Sequence, residues 1–325
     1  MKVRYKSFSV VLMGLLLLFT TACGVSNETS GQGGESADNS GGEKLKIGLT
    51  LNNLANPFFV SMSEAAESYA EEMGAEIIVQ AADADLAKQT SQIENFITQG
   101  VDLILLNAVD SEGIAGAVAQ ADAAGIPVIA VDVGADGGIE STVTSDNYQA
   151  GVLAAESIIE DLNGKGNVVV IDGPPVTAVK DRIAGFEDTI KDTDIKVIAK
   201  QNGEGNREQG LKVMEGILQA NEPGTIDAVF ANNDPVAIGA EIAQQQADRQ
   251  DEFYIVGVDG SPDVIEAMNK EGSSIAGTSA QYPDKMVKKA MDIGIKVLEG
   301  ESVDEVVKIP VDLITQENID SYSGW

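Results

Sequence analysis

The sequence predicts an α/β protein of two doubly wound lobes, and three observations carry that reading. From residue 45 onward, short apolar runs alternate with amphipathic stretches of helical period. The runs are continuously apolar, as strands of a parallel sheet covered on both faces must be. The body, residues 44–325, is past the size at which a single core usually stops growing.

In the first half the pattern gives strands near 45–51, 75–80, 102–106 and 127–131, with helices near 57–73, 87–99 and 112–124 between them. Asn56-Pro57 opens the first helix with a capping side chain and a proline at its first position. The second half gives strands near 167–172, 195–200, 227–231, 253–258 and 274–278, with helices near 147–162, 177–191, 206–220, 235–247 and 261–270. A last helix near 283–299 and a strand near 306–310 follow once the second lobe is complete, so they can return to the first.

Upstream of the body, Lys2, Arg4 and Lys6 precede an apolar run from Val10 to Phe19 that is short for a membrane span, which reads as an export signal over 1–22. The chain's only cysteine, Cys23, follows Thr20-Thr21-Ala22 and precedes Gly24. That segment resembles a bacterial lipoprotein cleavage site, with Thr20 where leucine is usual, and predicts lipidation at Cys23. Residues 23–43 are rich in Gly, Ser, Asn and acids, a composition that cannot bury a core and reads as a flexible tether.

The chain carries 21 basic and 52 acidic residues, a net charge of −31. This balance excludes a nucleic-acid partner, whose phosphates need clustered Lys and Arg. There is no histidine, the usual general base near neutral pH, and no phosphate-cradling G-x-x-x-x-G-K-[ST] loop or G-x-S-x-G elbow. An enzyme is therefore not expected, nor a cofactor, although two cleft carboxylates could in principle form a glycosidase pair. Asp161, Asn163 and Gly166 loosely match a calcium loop, but Lys165 sits where an oxygen ligand is needed. The stretch Asn163-Gly164-Lys165-Gly166 reads as a helix end and loop, with no metal.

Ligands of open parallel sheets bind beyond the carboxyl ends of the strands. Asn52 and Asn56 follow the first strand, Asp132 ends the strand at 126–131, Asn233 follows 228–231, Asp259 ends 254–258, and Gln281 follows 275–278. Carboxylates and amides suit a polyhydroxylated neutral ligand, whose hydroxyls both donate and accept. Phe58 and Phe59 suit its C–H faces, or belong to the core; adjacent helical residues diverge by about 100°, so one buried stripe does not hold both easily. Asn56 and Asn233 have a plainer reading as helix caps. Asp132 and Asp259 are harder to account for structurally, because a carboxylate ending a buried strand is costly unless paired. Lys180 and Arg182 lie in or near the first turn of a helix, where the dipole disfavours cations, so Lys180 is either a ligand group or a solvated surface residue.

The run Asn56-Pro57-Phe58-Phe59-Val60-Ser61, the strand ending in Asp132, Ser145-Asp146-Asn147, Gly185-Phe186, Asn233-Asp234, Gly257-Val258-Asp259-Gly260 and Ala280-Gln281-Tyr282-Pro283-Asp284 together resemble the type I periplasmic sugar-binding proteins, the family of the ribose-binding protein. The resemblance implies two Rossmann-like lobes joined by three crossings, with lobes at 44–145 plus 282–312 and at 146–281 plus 313–325. It implies a ligand enclosed between them by hinge closure and touched by Asn52, Asn56, Phe58, Phe59, Asp132, Asn233, Asp259 and Gln281. It also implies a monomer that delivers a small sugar or polyol to an ABC permease with its ATPase, held to the membrane by its lipid anchor alone. Val133 and Lys180 stand where that family has arginines, and Gly205 and Val258 where it has phenylalanines. All four are expected in the pocket, and they point to a ligand other than ribose. A sensory receptor presenting a sugar-derived signal to a membrane kinase or chemoreceptor fits the same residues. A LacI-type repressor, which has similar lobes, does not, because no helix-turn-helix precedes them.

Overall fold

The computed structural model describes residues 44–325. The export signal, Cys23 and the tether lie outside the described residues. Strands and helices alternate as β1 (Lys46–Leu51), α1 (Pro57–Met73), β2 (Glu76–Ala81), α2 (Leu86–Gln99), β3 (Leu103–Leu106), α3 (Ala115–Ala123), β4 (Val128–Val131) and β5 (Ser141–Ser145). The second series is α4 (Asn147–Asp161), β6 (Lys165–Asp172), α5 (Thr177–Ile190), β7 (Asp194–Asn202), α6 (Arg207–Ala220), β8 (Ala228–Ala231), α7 (Asp234–Gln246), β9 (Tyr254–Asp259), α8 (Pro262–Met268) and β10 (Ile275–Ala280). The chain then runs through α9 (Pro283–Leu298), β11 (Val306–Ile309) and β12 (Asp312–Thr315).

Two six-stranded sheets result, ordered β11-β5-β4-β3-β1-β2 and β12-β10-β9-β8-β6-β7. The first is parallel throughout, and in the second only β12 runs antiparallel. The central strands β1, β3, β4, β8 and β9 are almost wholly buried, and β6 is buried over Val168–Ile171, as their apolar sequences require. The orders match position for position, so β4 and β9 are equivalent strands, and so are β3 and β8.

The chain passes between sheets three times: after β5, after β10 and between β11 and β12. α9 packs on α1 and on β3, β4 and β5, which returns it to the first lobe. β5 and β12 do not stand out as apolar runs. β5 reads Ser-Thr-Val-Thr-Ser yet is buried, because its hydroxyls find partners: Ser141 Oγ donates to the Asp304 carbonyl at 2.7 Å and Thr144 Oγ1 to the Asp132 carbonyl at 2.5 Å. α3 starts at Ala115 rather than near 112, because the Asp110 carboxylate accepts from the N–H groups of Glu112 and Gly113 and holds a turn there. Around Asn163, φ values of 53° there and 72° at Gly164 end α4 and lead into β6.

One crossing positions the site. α4 and α5 approach so closely that a Cβ on Gly151 would lie 2.0 Å from the Arg182 carbonyl, and one on Gly185 would lie 2.1 Å from the Tyr148 carbonyl. These are backbone contacts that no rotamer change relieves. Gly151→Ala is expected to destabilise the protein by roughly 1–3 kcal/mol through overpacking, read as a lower urea midpoint. An unchanged midpoint would show that the two helices separate freely and that the crossing does not fix α5.

Candidate ligand site

The carboxyl ends of the two sheets face each other across a cavity of about 1000 Å³, at the upper end of the roughly 300–1000 Å³ usual for small-molecule sites. Asn52, Asn56, Phe58, Phe59 and Asp132 line it from the first lobe, and Asn233, Asp259 and Gln281 line it from the second lobe or the crossing beside it. Lys180 is absent from the lining.

Equivalent strand ends supply equivalent groups. Asn107 follows β3 and Asp132 follows β4; Asn232 follows β8 and Asp259 ends β9. Both aspartates adopt positive φ, 71° at Asp132 and 138° at Asp259, backbone that L-residues rarely adopt. In the first lobe, Asn107 Nδ2 donates to Asp132 Oδ2 at 3.0 Å, and Asn107 Oδ1 accepts from the Asn52 N–H at 3.0 Å. In the second lobe, Gln281 Nε2 donates to Asp259 Oδ1 at 2.7 Å. A carboxylate beside it requires the NH₂ of Gln281, so the amide oxygen Oε1 must face the other way.

Among the described residues, five buried side-chain atoms have no hydrogen-bond partner, and three of them, Asp259 Oδ2, Gln281 Oε1 and Asn232 Oδ1, belong to residues around this cavity. All three are acceptors. A buried acceptor without a partner costs roughly 1–3 kcal/mol, so the arrangement is built for a molecule bearing several donors.

The cation of the site is Arg182. It is buried, its Nε donates to Asn147 Oδ1 at 2.8 Å, and one terminal nitrogen donates to the Asn232 carbonyl at 2.8 Å while lying 4.0 Å from Asp259 Oδ1. Asn147 opens α4 just past the first crossing, and its Nδ2 donates to Thr144 Oγ1 at 2.9 Å. This corrects the expectation for Lys180, which is half exposed with Nζ 3.5 Å from Glu112 Oε1. Buried α5 residues Val179, Arg182, Ile183 and Phe186 form one helical stripe. Lys180 is two residues from Arg182, about 200° around the helix, and faces away. Of the four departures expected in the pocket, Val133 and Gly205 line the cavity, whereas Val258 is fully buried in the core and Lys180 lies outside.

Burial dominates the electrostatics. It pushes the Asp132 carboxyl up to about 6, against the lowering effects of the Arg182 charge and the Asn107 hydrogen bond. It pushes Asp259 up to about 7, again opposed by Arg182 and by Gln281, with Asp132 adding to the rise. Asp234 is raised well above its ordinary value by burial and by the Asp259 charge, and it is committed to structure, accepting from the Ser261 N–H and from Thr278 Oγ1 at 2.7 Å each.

The caps are partly as expected from their plainer reading. Asn56 Oδ1 accepts from the Phe58 N–H at 3.0 Å. Asn233 uses Oδ1 to accept from the Val236 N–H at 3.1 Å and one N–H of Nδ2 to donate to the Gly205 carbonyl at 2.9 Å, which leaves it a second N–H at the cavity it lines, and its neighbour Asn232 carries an open acceptor. Phe58 is buried and Phe59 half-buried, with rings edge to face at 5.4 Å. Sequence reasoning missed Asn107 and Asn232, and it singled out Arg182 without assigning it to the site. The rule that found Asp132 also reaches Asn107 and Asn232, each directly after an apolar strand.

The periplasmic binding protein domain family matches residues 47–302. The ribose import binding protein RbsB of Bacillus subtilis (strain 168) is 36% identical over 315 residues, covering 96% of this chain and 99% of that one. The xylitol-binding protein of Mycolicibacterium smegmatis is 30% identical over 325 residues, covering 98% and 88%. Among solved structures, an ABC transporter solute-binding protein from Bacillus halodurans C-125 with bound myo-inositol superposes with a TM-score of 0.79 at 31% identity, covering 87% of this chain and 99% of that one. The chain therefore belongs to the periplasmic binding protein family, and its two parallel-sheet lobes have the type I fold of that family.

Proposed function

We propose that the protein is an extracytoplasmic solute-binding lipoprotein of an ABC importer, which captures a small neutral sugar or polyol between its lobes by hinge closure. The observation that carries this reading is the trio of buried, unpartnered acceptors around one cavity, Asp259 Oδ2, Gln281 Oε1 and Asn232 Oδ1. Ligand hydroxyls donate to them, and Arg182 returns a donor to a ligand oxygen. Phe58 and Phe59 cover C–H surface. Two carboxyl groups against one guanidinium disfavour an anionic ligand. The relatives named for ribose and xylitol, and the solved structure holding myo-inositol, share this ligand chemistry. Val133 and Gly205 bring neither a guanidinium nor a ring to their stretches of wall, which favours a ligand shaped differently from ribose. The permease with its ATPase is the expected partner, and Cys23 the expected anchor.

A thermal-shift screen of D-ribose, xylitol, myo-inositol and related neutral polyols tests the reading, since a ligand at 100 times its Kd adds about 2.7 kcal/mol. Stabilisation by sugar acids alone would overturn it. For the polyol found, Asp132→Ala and Asp259→Ala should each weaken binding at least about tenfold by calorimetry, since a hydrogen bond to a charged group contributes roughly 1.5–3 kcal/mol. Unchanged affinity in both variants means the ligand lies elsewhere.

The acid cluster also gives a pH dependence. Asp132 and Asp259 hold their protons more tightly when folded, so their contribution to stability is complete below the ordinary value of 3.8 and is lost as pH rises through about 6 and about 7 respectively. The unliganded protein should lose stability from pH 5 to pH 8, and Asp259→Asn should flatten that slope in denaturant titrations. A variant as steep as the wild type would assign the dependence to other groups. For the anchor, Cys23→Ser should abolish incorporation of labelled fatty acid; label retained in the variant would remove Cys23 as the lipidation site.

A further inference from the structure

Asp259 and Gly260 follow one another at φ 138° and 73°. At Asp259, which is not glycine, such backbone persists only where its surroundings over-determine it. Here the Asp259 carbonyl accepts from the Gln281 N–H at 2.8 Å and from Trp325 Nε1 at 3.0 Å. The Gly260 carbonyl accepts from the Tyr322 hydroxyl at 3.0 Å, and the Gly260 N–H donates to Thr278 Oγ1 at 3.1 Å. Two of these four bonds come from the segment after β12, beyond the short helical turn Ile319–Ser321.

Trp325 also reaches the other lobe. Its ring stands edge to face against Phe58, with centroids 5.9 Å apart and planes at 88°. Phe58 belongs to the core of the first lobe and lines the cavity; Asp259 lines it from the second. One half-buried side chain, itself not part of the lining, thus touches a cavity-lining residue of each lobe.

We propose that Trp325 is a positioning residue of the ligand site: its indole N–H holds the Asp259 backbone so that Oδ2 faces the cavity, and its ring seats Phe58 opposite. The proposal rests on the sugar or polyol reading of the cavity. It assigns separate tasks to the two parts of the side chain. The N–H sets the direction of the acceptor, and the ring couples that acceptor to the aromatic wall across the cleft. Trp325 is also the chain's only tryptophan, so its emission reports on this junction without interference.

The test uses the full chain and Trp325→Phe, which keeps a ring against Phe58 and removes the N–H. Calorimetry with D-ribose, xylitol and myo-inositol as probes should show that whichever probe binds the wild type binds Trp325→Phe about tenfold more weakly, with little change in unliganded melting. In an Asp259→Ala background the same substitution should cost much less, because the two act through one group. Equal affinities of wild type and Trp325→Phe overturn the proposal, and so does an undiminished loss in the Asp259→Ala background. If Trp325→Phe does not fold, wild-type emission decides: a shift on saturation with the bound probe supports the proposal, and unchanged emission overturns it. Failure of the wild type to bind any probe removes the sugar reading and this proposal together, whereas normal wild-type binding with an unaffected variant removes this proposal alone.

Discussion

Two carboxyl groups buried at the ends of apolar strands are the constraint on which this structure turns. An isolated carboxylate in such a place is too costly to keep, so each aspartate must share a charge or hydrogen bonds. Arg182 supplies the shared charge, and it is itself held by Asn147 at a crossing between lobes and by the end of β8. Asn147 in turn bonds Thr144, whose hydroxyl bonds the Asp132 carbonyl. A continuous chain of hydrogen bonds therefore runs from the acid of the first lobe, through the crossing, to the cation beside the acid of the second. The glycine crossing of α4 and α5 serves the same end, because it sets how deep Arg182 sits.

The matching strand orders explain why the site has a rough two-fold character, and the side chains explain why it is not symmetric. Asn107 and Asn232 occupy equivalent positions, as do Asp132 and Asp259. Asn107 spends its amide on its own lobe, bonding Asp132 and the Asn52 backbone. Asn232 gives its carbonyl to Arg182 and leaves its side-chain oxygen open. The first lobe thus presents an acid with an amide on one of its oxygens, and the second presents open acceptors. On the proposed reading, ligand hydroxyls find their unmet partners mostly on the second lobe, while the first contributes aromatic surface.

Much of the fold was legible because the strands are continuous apolar runs, and β5 and β12 escaped because neither is one. β5 buries hydroxyls instead of methyl groups, which a hydropathy pattern reads as loop. At the site, Asp132 and Asp259 were legible because a carboxylate after four or more apolar residues has no ordinary structural explanation. Asn233 was legible both as the cap of α7 and as a cavity residue, and it is both, while the open acceptor one residue earlier was not singled out. Lys180 was placed in the pocket by the resemblance and by its position near the start of a helix, and neither reveals that it lies about 200° around that helix from buried Arg182. The stripe Val179, Arg182, Ile183 and Phe186 carries the correct assignment in its spacing alone.

The open acceptors also bear on how ligand and stability are coupled. Each buried oxygen without a partner costs the unliganded protein roughly 1–3 kcal/mol, and the raised carboxyl values at Asp132 and Asp259 show the same cost as a preference for the proton. On the proposed reading, a polyhydroxylated ligand relieves both at once, since each hydroxyl that donates to a carboxylate replaces the hydration that burial removed. That relief is then part of the free energy that favours the ligand-bound state, and the apolar cores of the individual lobes need not change for it to be released.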